Sequence, residues 1–419
     1  MTDAITNWAG NVTFGGRRLA RPASVDELAE LVAGSDRVRA LGSGHSFNRL
    51  ADTGGDLVTV AGLPPTVRID PAGRRVRVAA GVRYGELAVR LHEAGFALAN
   101  LASLPHISVA GACATATHGS GVGNGNLSTA VSAMELVTAD GSVVTVDRTT
   151  DGFAGTVVGL GCFGVVTELT LDIEPTYQVA QHVYDDLPLT ALATDWPALC
   201  AAAYSVSLFT DWSGPRFNQV WLKRRVDRDP PVPGPRWLGA VAADGPRHPV
   251  PGMPAGNCTE QGGAPGPWHA RLPHFKLEFT PSSGAELQSE WFVPRDRLVE
   301  AVRALAGMAD RIAPVLQVSE IRTIAADELW LSPCHRRDSA ALHFTWQPDA
   351  VAVAPVLAAI EERLAPLGAR PHWGKLFDLD PWAEPERADR LAAFRDLTHR
   401  YDPSGKFRND LVDGWLAGD

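Results

Sequence analysis

Gly159-Leu160-Gly161-Cys162-Phe163-Gly164-Val165-Val166-Thr167-Glu168-Leu169-Thr170-Leu171 contains a choice between two folds. Its first six residues match the Gly-x-Gly-x-x-Gly pattern of dinucleotide-binding βαβ units, and Asp185 lies about where the ribose-binding acid of such a unit falls. The pattern works only when a helix follows the glycines at once, because the helix N-terminus has to meet the pyrophosphate. Here the following residues are β-branched and nearly alternating, which predicts a strand. A nicotinamide Rossmann unit is thereby set aside.

Upstream, Met134 to Thr138 and Ser142 to Val146, joined through Ala139-Asp140-Gly141, read as a hairpin. His118-Gly119-Ser120-Gly121-Val122-Gly123-Asn124-Gly125-Asn126 is expected to be a loop, since ordering so many glycines in a helix costs too much backbone entropy. Tyr84 to Ala94 reads as a helix closed by Gly95. Thr66 to Ile69 and Arg74 to Ala79 flank an Asp70-Pro71-Ala72-Gly73 turn, with Val76 and Val78 alternating with Arg75 and Arg77. Ser24 to Glu27 forms a capping box ahead of Leu28, Leu31 and Val32, and Arg37 to Leu41 follows as a short strand. Downstream, from about residue 180, strand-like runs dominate: Tyr204 to Thr210, Phe275 to Thr280 and Leu287 to Val293, with an amphipathic helix from Arg295 to Met308. Asp229 to Pro267, dense in Pro and Gly, reads as an irregular surface excursion. The chain is expected to be α+β, with a domain boundary near residue 180.

Composition bounds the function. A chain of 419 residues is too long for one ordinary core and comfortable for two. The net charge of -10 argues against nucleic acid as a partner, because neutralising phosphates needs concentrated Lys and Arg. The longest basic run, Lys223-Arg224-Arg225, reads as the edge of a strand. No run reaches membrane-spanning length and the first residues carry no export signal, so a cytoplasmic protein is expected. Five scattered cysteines, none in a Cys-x-x-Cys pair, fit reduced thiols better than disulfides or zinc, and no metal site is expected.

Three stretches carry chemistry. Leu41-Gly42-Ser43-Gly44-His45-Ser46-Phe47 follows a strand and offers free N–H groups that can converge on an anion. Read alone, it is equally a tight turn with an incidental histidine. Residues 100–111 and 117–121 add two more small-residue loops, and three such loops could wrap one elongated, diphosphate-containing cofactor. In Ser319-Glu320-Ile321-Arg322-Thr323-Ile324 and Leu342-His343-Phe344-Thr345-Trp346, period-two geometry puts Glu320 with Arg322 on one face and His343 with Thr345 on another. That pattern suits a polar pocket floor, and it equally suits the solvent side of edge strands. Arg370-Pro371-His372-Trp373-Gly374-Lys375 adds a lysine that is a pocket residue or a surface cation.

Gly42 to Ser46, Ala102-Ser103-Leu104-Pro105-His106-Ile107-Ser108-Val109-Ala110-Gly111, the His118 to Gly121 loop, Glu320-Ile321-Arg322, His343-Phe344-Thr345 and His372-Trp373-Gly374-Lys375 occur in one order along the chain. In that combination the sequence resembles the alditol oxidases, a branch of the vanillyl-alcohol oxidase flavoproteins close to the aldonolactone oxidases. The likeness covers essentially the whole chain, except that Asp229 to Arg247 has no confident counterpart. It implies an FAD domain at 1–180, completed by about 376–419 around Tyr401 to Phe407, and a substrate-binding cap domain at 181–375 built on an antiparallel sheet. It implies FAD joined covalently to His45. The implied cofactor contacts are Ala40, Leu41, Gly42, Ser43, Gly44, Ser46, Ser103, Ser108, Gly111, Ala112, Cys113, Ala114, Val166 and His372. The implied substrate contacts are Ser103, Glu320, Arg322, His343, Thr345 and Lys375.

The implied reaction is oxidation of the terminal alcohol of a polyol such as xylitol or sorbitol by O2, in a monomer that needs no macromolecular partner. Moving a hydride from C1 to flavin N5 while the hydroxyl proton leaves requires cations near the developing negative charge. Arg322 and Lys375 suit that role, with Glu320 holding Arg322 and accepting from a substrate hydroxyl. His343, Thr345 and Ser103 would read the other hydroxyls, and His343 and Lys375 both stand as candidate proton acceptors. The competing readings are an aldonolactone oxidase or dehydrogenase and a catalytically silent carbohydrate-binding protein.

Overall fold

The N-terminal part builds small sheets joined by short helices. In a computed structural model that describes residues 4–279, 284–384 and 387–417, β1 (Arg18–Ala20), β2 (Val38–Ala40) and β3 (Asp56–Val58) form a parallel sheet in the order β1-β3-β2. β4 (Val67–Asp70) and β5 (Arg75–Ala79) are the expected hairpin, and β6 (Phe96–Ala97) follows the helix Tyr84–Glu93. β7 (Val131–Val137), β8 (Val143–Asp147) and β9 (Val165–Asp172) complete an antiparallel sheet ordered β4-β5-β9-β7-β8. β10 (Glu174–Pro175) pairs with β6.

The glycine run 159–164 is a turn into β9. Leu160 and Gly161 are left-handed, and at Gly164 (φ 145°) any side chain would run into the Val137 carbonyl. Along β9, Val165, Thr167, Leu169 and Leu171 are buried while the residues between them are half-buried. That period of two places the β-branched run on a sheet and excludes the helix a Rossmann unit needs.

The rest of the chain supplies a ten-stranded antiparallel sheet. Its strands are β11 (Gln178–Pro188), β12 (Ser205–Thr210), β13 (Arg216–Arg225), β14 (Arg236–Trp237), β15 (Ala240–Ala242), β16 (Gly266–Pro267), β17 (Leu287–Pro294), β18 (Leu316–Ile324), β19 (Ser339–Trp346) and β20 (Arg370–Pro371). The order is β14-β15-β11-β13-β12-β18-β19-β17-β20, with β16 pairing with the start of β11. Leu208, Val220, Leu222, Ile321, Leu342 and Phe344 pack in one core with the helices Leu189–Cys200, Leu298–Ala306 and Ala350–Leu364. Alternate residues therefore turn the other way. Register lines up Phe209, Glu320, His343 and Glu290 in one row across β12, β18, β19 and β17, beside a row of Val318, Thr345 and Gln288.

The C-terminal segment returns to the first part. Phe407 packs with Leu28, Val32, Val137 and Val165, and the buried Lys406 ammonium donates to the carbonyls of Val32 and Ala139 at 2.7 Å each. Arg39, equally buried, donates to the Phe407 carbonyl and to that of Leu160.

Several local expectations are corrected. Phe275 to Thr280 is not a strand: Phe275 makes one isolated bridge to Cys258, a turn follows, and Thr280 lies outside the described residues. Asp229 to Pro267 is not only a surface excursion, since it holds β14 and β15 and buries His248, Cys258 and Thr259. Lys223-Arg224-Arg225 does end a strand, β13, but one that lies inside the sheet between β11 and β12, with Lys223 fully buried. Ser24 caps its helix by accepting from the Glu27 N–H, but the Glu27 carboxylate reaches the N–H of Ala23, one residue earlier than a capping box requires. All five cysteines are free and buried.

Candidate active site

The three small-residue loops and the polar face of the large sheet enclose one cavity of about 610 Å3. Ala40 to Ser46 line it from the end of β2; Ser103, Ser108, Gly111, Ala112 and Ala114 line it from the second loop and the short helix after it; Val166 lines it from β9. Gly44 needs a left-handed backbone (φ 70°), and a side chain on Gly42 or Gly111 would strike the Ser108 hydroxyl. That hydroxyl is buried and makes no hydrogen bond within the described residues, so it stands as an acceptor and donor for something held there. His45 stacks on Trp8 with centroids 4.9 Å apart. Burial lowers its pKa to about 4, which leaves the imidazole neutral and its nitrogen lone pair nucleophilic at physiological pH. The small loop residues, the orphaned hydroxyl and a neutral histidine fit an elongated cofactor such as FAD.

Glu320, Arg322, His343, Thr345 and Lys375 all reach the same cavity, as does His372. β18 and β19 are central strands, buried along their length, so the solvent-facing alternative is excluded. Arg322 donates to the Ser103 hydroxyl at 3.2 Å, while its Nε lies 3.6 Å from Glu320. Lys375 donates to Gln288 Oε1 at 2.9 Å and to His343 Nδ1 at 2.8 Å, which leaves the His343 proton on Nε2, 3.1 Å from the Thr345 hydroxyl.

Glu290, 1% exposed in its side chain, organises this floor. It accepts from Arg322 at 2.6 Å and from Lys375 at 3.2 Å, with His118 Nε2 3.2 Å away. Burial alone would raise its pKa, but Lys375, Arg322 and His118 hold it well below the usual carboxylate range. Glu320 is depressed likewise, burial being outweighed by Arg322 and His274. Arg322 is raised because Glu320 and Glu290 overcome its burial. Burial lowers Lys375, and takes His343 to about 4, where the Lys375 charge adds to the effect. The floor thus sets two carboxylates against two cations, interleaved with neutral imidazoles.

Every residue expected at the site lines the cavity except Cys113, whose thiol faces the Tyr84 hydroxyl at 3.3 Å inside the core. The helix Val109–Ala114 turns that position away from the cavity while Gly111, Ala112 and Ala114 face it. Sequence reasoning missed Glu290, Gln288, His274 and Trp8. The first two were within reach, because period-two reading of Leu287 to Val293 puts Gln288 and Glu290 on one face. His274 and Trp8 lie in irregular segments and gave no pattern. Glu320 also holds Arg322 less closely than expected; the tight partner is Glu290.

Two family models match the chain: an FAD binding domain over residues 17–147 and D-arabinono-1,4-lactone oxidase over 285–415. The alditol oxidase of a Streptomyces species is 53% identical over 99% of this chain and 100% of its own. The L-gulono-1,4-lactone dehydrogenase of Mycobacterium tuberculosis is 29% identical over 98% and 99%. Among solved structures, a solvent-stable cholesterol oxidase superposes with a TM-score of 0.80 at 15% identity, covering 99% of this chain and 97% of its own, a likeness of fold.

Proposed function

The chain belongs to the alditol oxidase family of FAD-dependent oxidases, and from that premise we propose that it oxidises the terminal alcohol of an open-chain polyol such as xylitol or sorbitol to the aldose, passing the electrons to O2 to give H2O2. The observation that carries this reading is the floor itself: Glu320, Arg322, His343, Thr345, Lys375 and Ser103 present donors and acceptors to one cavity. A hydroxyl-rich substrate satisfies such groups, whereas an apolar one would leave each buried polar group unpaired at a cost of about 1–3 kcal/mol.

FAD, when bound, supplies the acceptor for the substrate's C1 hydride and returns the electrons to O2. The residues proposed to hold it are those of the glycine loops, with Ser108 offering its free hydroxyl and His45 the covalent attachment to the flavin 8α-methyl carbon. Arg322 and Lys375 face the reacting oxygen and stabilise its developing charge. Glu320 accepts from a hydroxyl further along the chain, while Thr345 and Ser103 orient the rest. Lys375 and His343 carry the released proton as a relay: as the hydroxyl proton passes to Lys375 Nζ, a Lys375 proton passes to His343 Nδ1, whose lone pair already accepts that N–H. The proposed division is an FAD domain of 1–180 with 376–419, supported by the Lys406 and Arg39 bonds, and a substrate domain of 181–375. The enzyme is read as a cytoplasmic monomer, with which five free thiols agree.

Two measurements test this. Acid-precipitated protein should remain yellow and give a fluorescent band on a denaturing gel, while a His45→Ala variant releases its flavin; a colourless wild-type pellet would refute the covalent bond. Peroxide formation should be fast with xylitol and sorbitol, poor with glycerol and absent with ethanol. Higher kcat/KM for a γ-lactone than for any polyol would move the chain to the lactone oxidases.

A further inference from the structure

Lys223 is the most enclosed ammonium near the cavity and has no part in the chemistry above. It lies on β13 with no solvent exposure, opposite Gln181 on β11 and Ser205 on β12, neither of which carries charge. Its three N–H groups have three acceptors: the carbonyls of Leu272 and Pro273, and Nδ1 of His274 at 2.9 Å. Because Nδ1 accepts, the imidazole proton sits on Nε2, which donates to Glu320 Oε1 at 2.8 Å. The ring is walled by Phe209 and Trp221, both edge-on at 5.5 and 5.1 Å, and the His274 backbone N–H donates to the Ser103 carbonyl at 2.9 Å. One oxygen of Glu320 is thereby committed. The other, 3.6 Å from Arg322 Nε, remains the acceptor for a substrate hydroxyl.

We propose that Lys223 is a positioning residue for polyol recognition: by donating to His274 Nδ1 it fixes the imidazole as the Nε2–H tautomer, and this holds Glu320 as an oriented hydroxyl acceptor. The Glu320 carboxylate, which accepts from Nε2, favours the same tautomer, so the ring is held from both sides. Without the lysine, Nδ1 loses its donor, the ring is held by Glu320 alone, and the carboxylate is no longer fixed in the orientation that receives a substrate hydroxyl. A buried ammonium here is otherwise hard to account for, since an uncharged residue of similar volume would avoid its desolvation cost.

The arrangement has a pH signature. The charged and titratable groups facing Lys223 are His274, Glu320, Arg322 and Cys258; burial lowers the lysine to about 7, against the pull of Glu320. His274 and His343 titrate lower, at about 4. Below pH 7 the ammonium supplies all three donors; above it one donor is lost, so affinity for the polyol falls as pH rises through that value.

This inference rests on the polyol reading, so its test includes an arm that needs no substrate. In holoenzyme with nitrogen-labelled histidine, NMR at about pH 6 should show His274 as the Nε2–H tautomer, its signal assigned by its disappearance in His274→Gln. An Nδ1–H tautomer overturns the proposal. In the second arm, Lys223→Met should raise KM for xylitol about tenfold with kcat changed less than about twofold, the pattern of lost uniform binding. It should also abolish the wild-type rise of KM above pH 7, and Lys223→Arg, which keeps the donors, should restore most of the affinity. A flavin-replete Lys223→Met enzyme with unchanged KM and pH profile overturns the proposal. Should that variant fail to fold, Lys223→Arg takes its place: a guanidinium keeps its charge above pH 7, so the rise of KM there should vanish, and a rise that persists overturns the proposal. A wild type that oxidises no polyol would refute the polyol reading and leave the tautomer arm standing.

Discussion

Glu290→Gln should cost the folded protein about 3 kcal/mol at pH 7, because removing one partner from a buried ionic network leaves the remaining charges uncompensated. The carboxylate sits between Arg322 at 2.6 Å and Lys375 at 3.2 Å, so its loss leaves two cations facing one remaining carboxylate, Glu320. The site has a way to limit that cost: Lys375, already lowered by burial, can shed its proton, whereas Arg322 cannot. The variant should therefore fold, with a lower urea midpoint, and should reduce its flavin slowly at neutral pH but recover rate as pH is lowered and Lys375 regains its charge. A carboxylate depressed in the folded state stabilises above its unfolded pKa of about 4.3 and loses that contribution as pH falls further. The stability gap between wild type and variant should accordingly be full at pH 7 and narrow below about pH 4. Urea titrations at several pH values check the sign; a gap that widens on acidification would mean that Glu290 is not the anionic centre of this floor.

How much of this was legible in the sequence depends on the kind of structure that carries each residue. Where side chains alternate on a strand, the reading of faces was reliable: β9, the hairpin β4–β5 and the pairing of Glu320 with Arg322 and of His343 with Thr345 all follow from a period of two. Register was not legible. That Glu290 stands in the row of His343 and Glu320 depends on how β17 pairs with β19, which no local pattern in Leu287 to Val293 determines. Irregular segments were read worst. His274 reaches the cavity from the residue just before Phe275 to Thr280, where the sequence predicts a strand, and the Pro- and Gly-rich run ahead of it, which reads as surface, contributes β14, β15 and buried His248. In such segments tertiary hydrogen bonds, such as Gln219 to the His248 carbonyl at 2.9 Å, replace the periodicity that sequence reading depends on. The glycine run at 159–164 was rightly denied a helix, yet Leu160, Gly161 and Gly164 line the same cavity, reached through a turn.

Lys375→Met should slow the chemical step about a hundredfold, equivalent to about 3 kcal/mol, while leaving flavin content normal. The ammonium lies on the floor, bonded to Gln288, Glu290 and His343, none of which belongs to the glycine loops proposed to hold the cofactor. Each of its three N–H groups already has an acceptor, so it meets a substrate oxygen only by exchanging one of them. The Glu290 contact, at 3.2 Å the longest of the three, is the one expected to yield. As negative charge builds on the C1 oxygen that exchange becomes favourable, which makes the interaction stronger in the transition state than in the bound ground state. Methionine keeps the length of the side chain and removes the charge. It also releases His343 Nδ1, which then becomes free to take the hydroxyl proton unaided; burial, the larger cause of that imidazole's lowered pKa, persists without Lys375 and keeps it neutral, so the variant's residual rate should be nearly flat between pH 6 and 8. Anaerobic stopped-flow reduction at saturating xylitol isolates this step from oxygen reactivity and from weakened binding. A normal rate in a flavin-replete Lys375→Met enzyme would take the lysine out of the mechanism. The stabilising charge would then fall to Arg322 alone, whose Nε has no hydrogen-bond partner among the described residues and whose guanidinium stays protonated throughout.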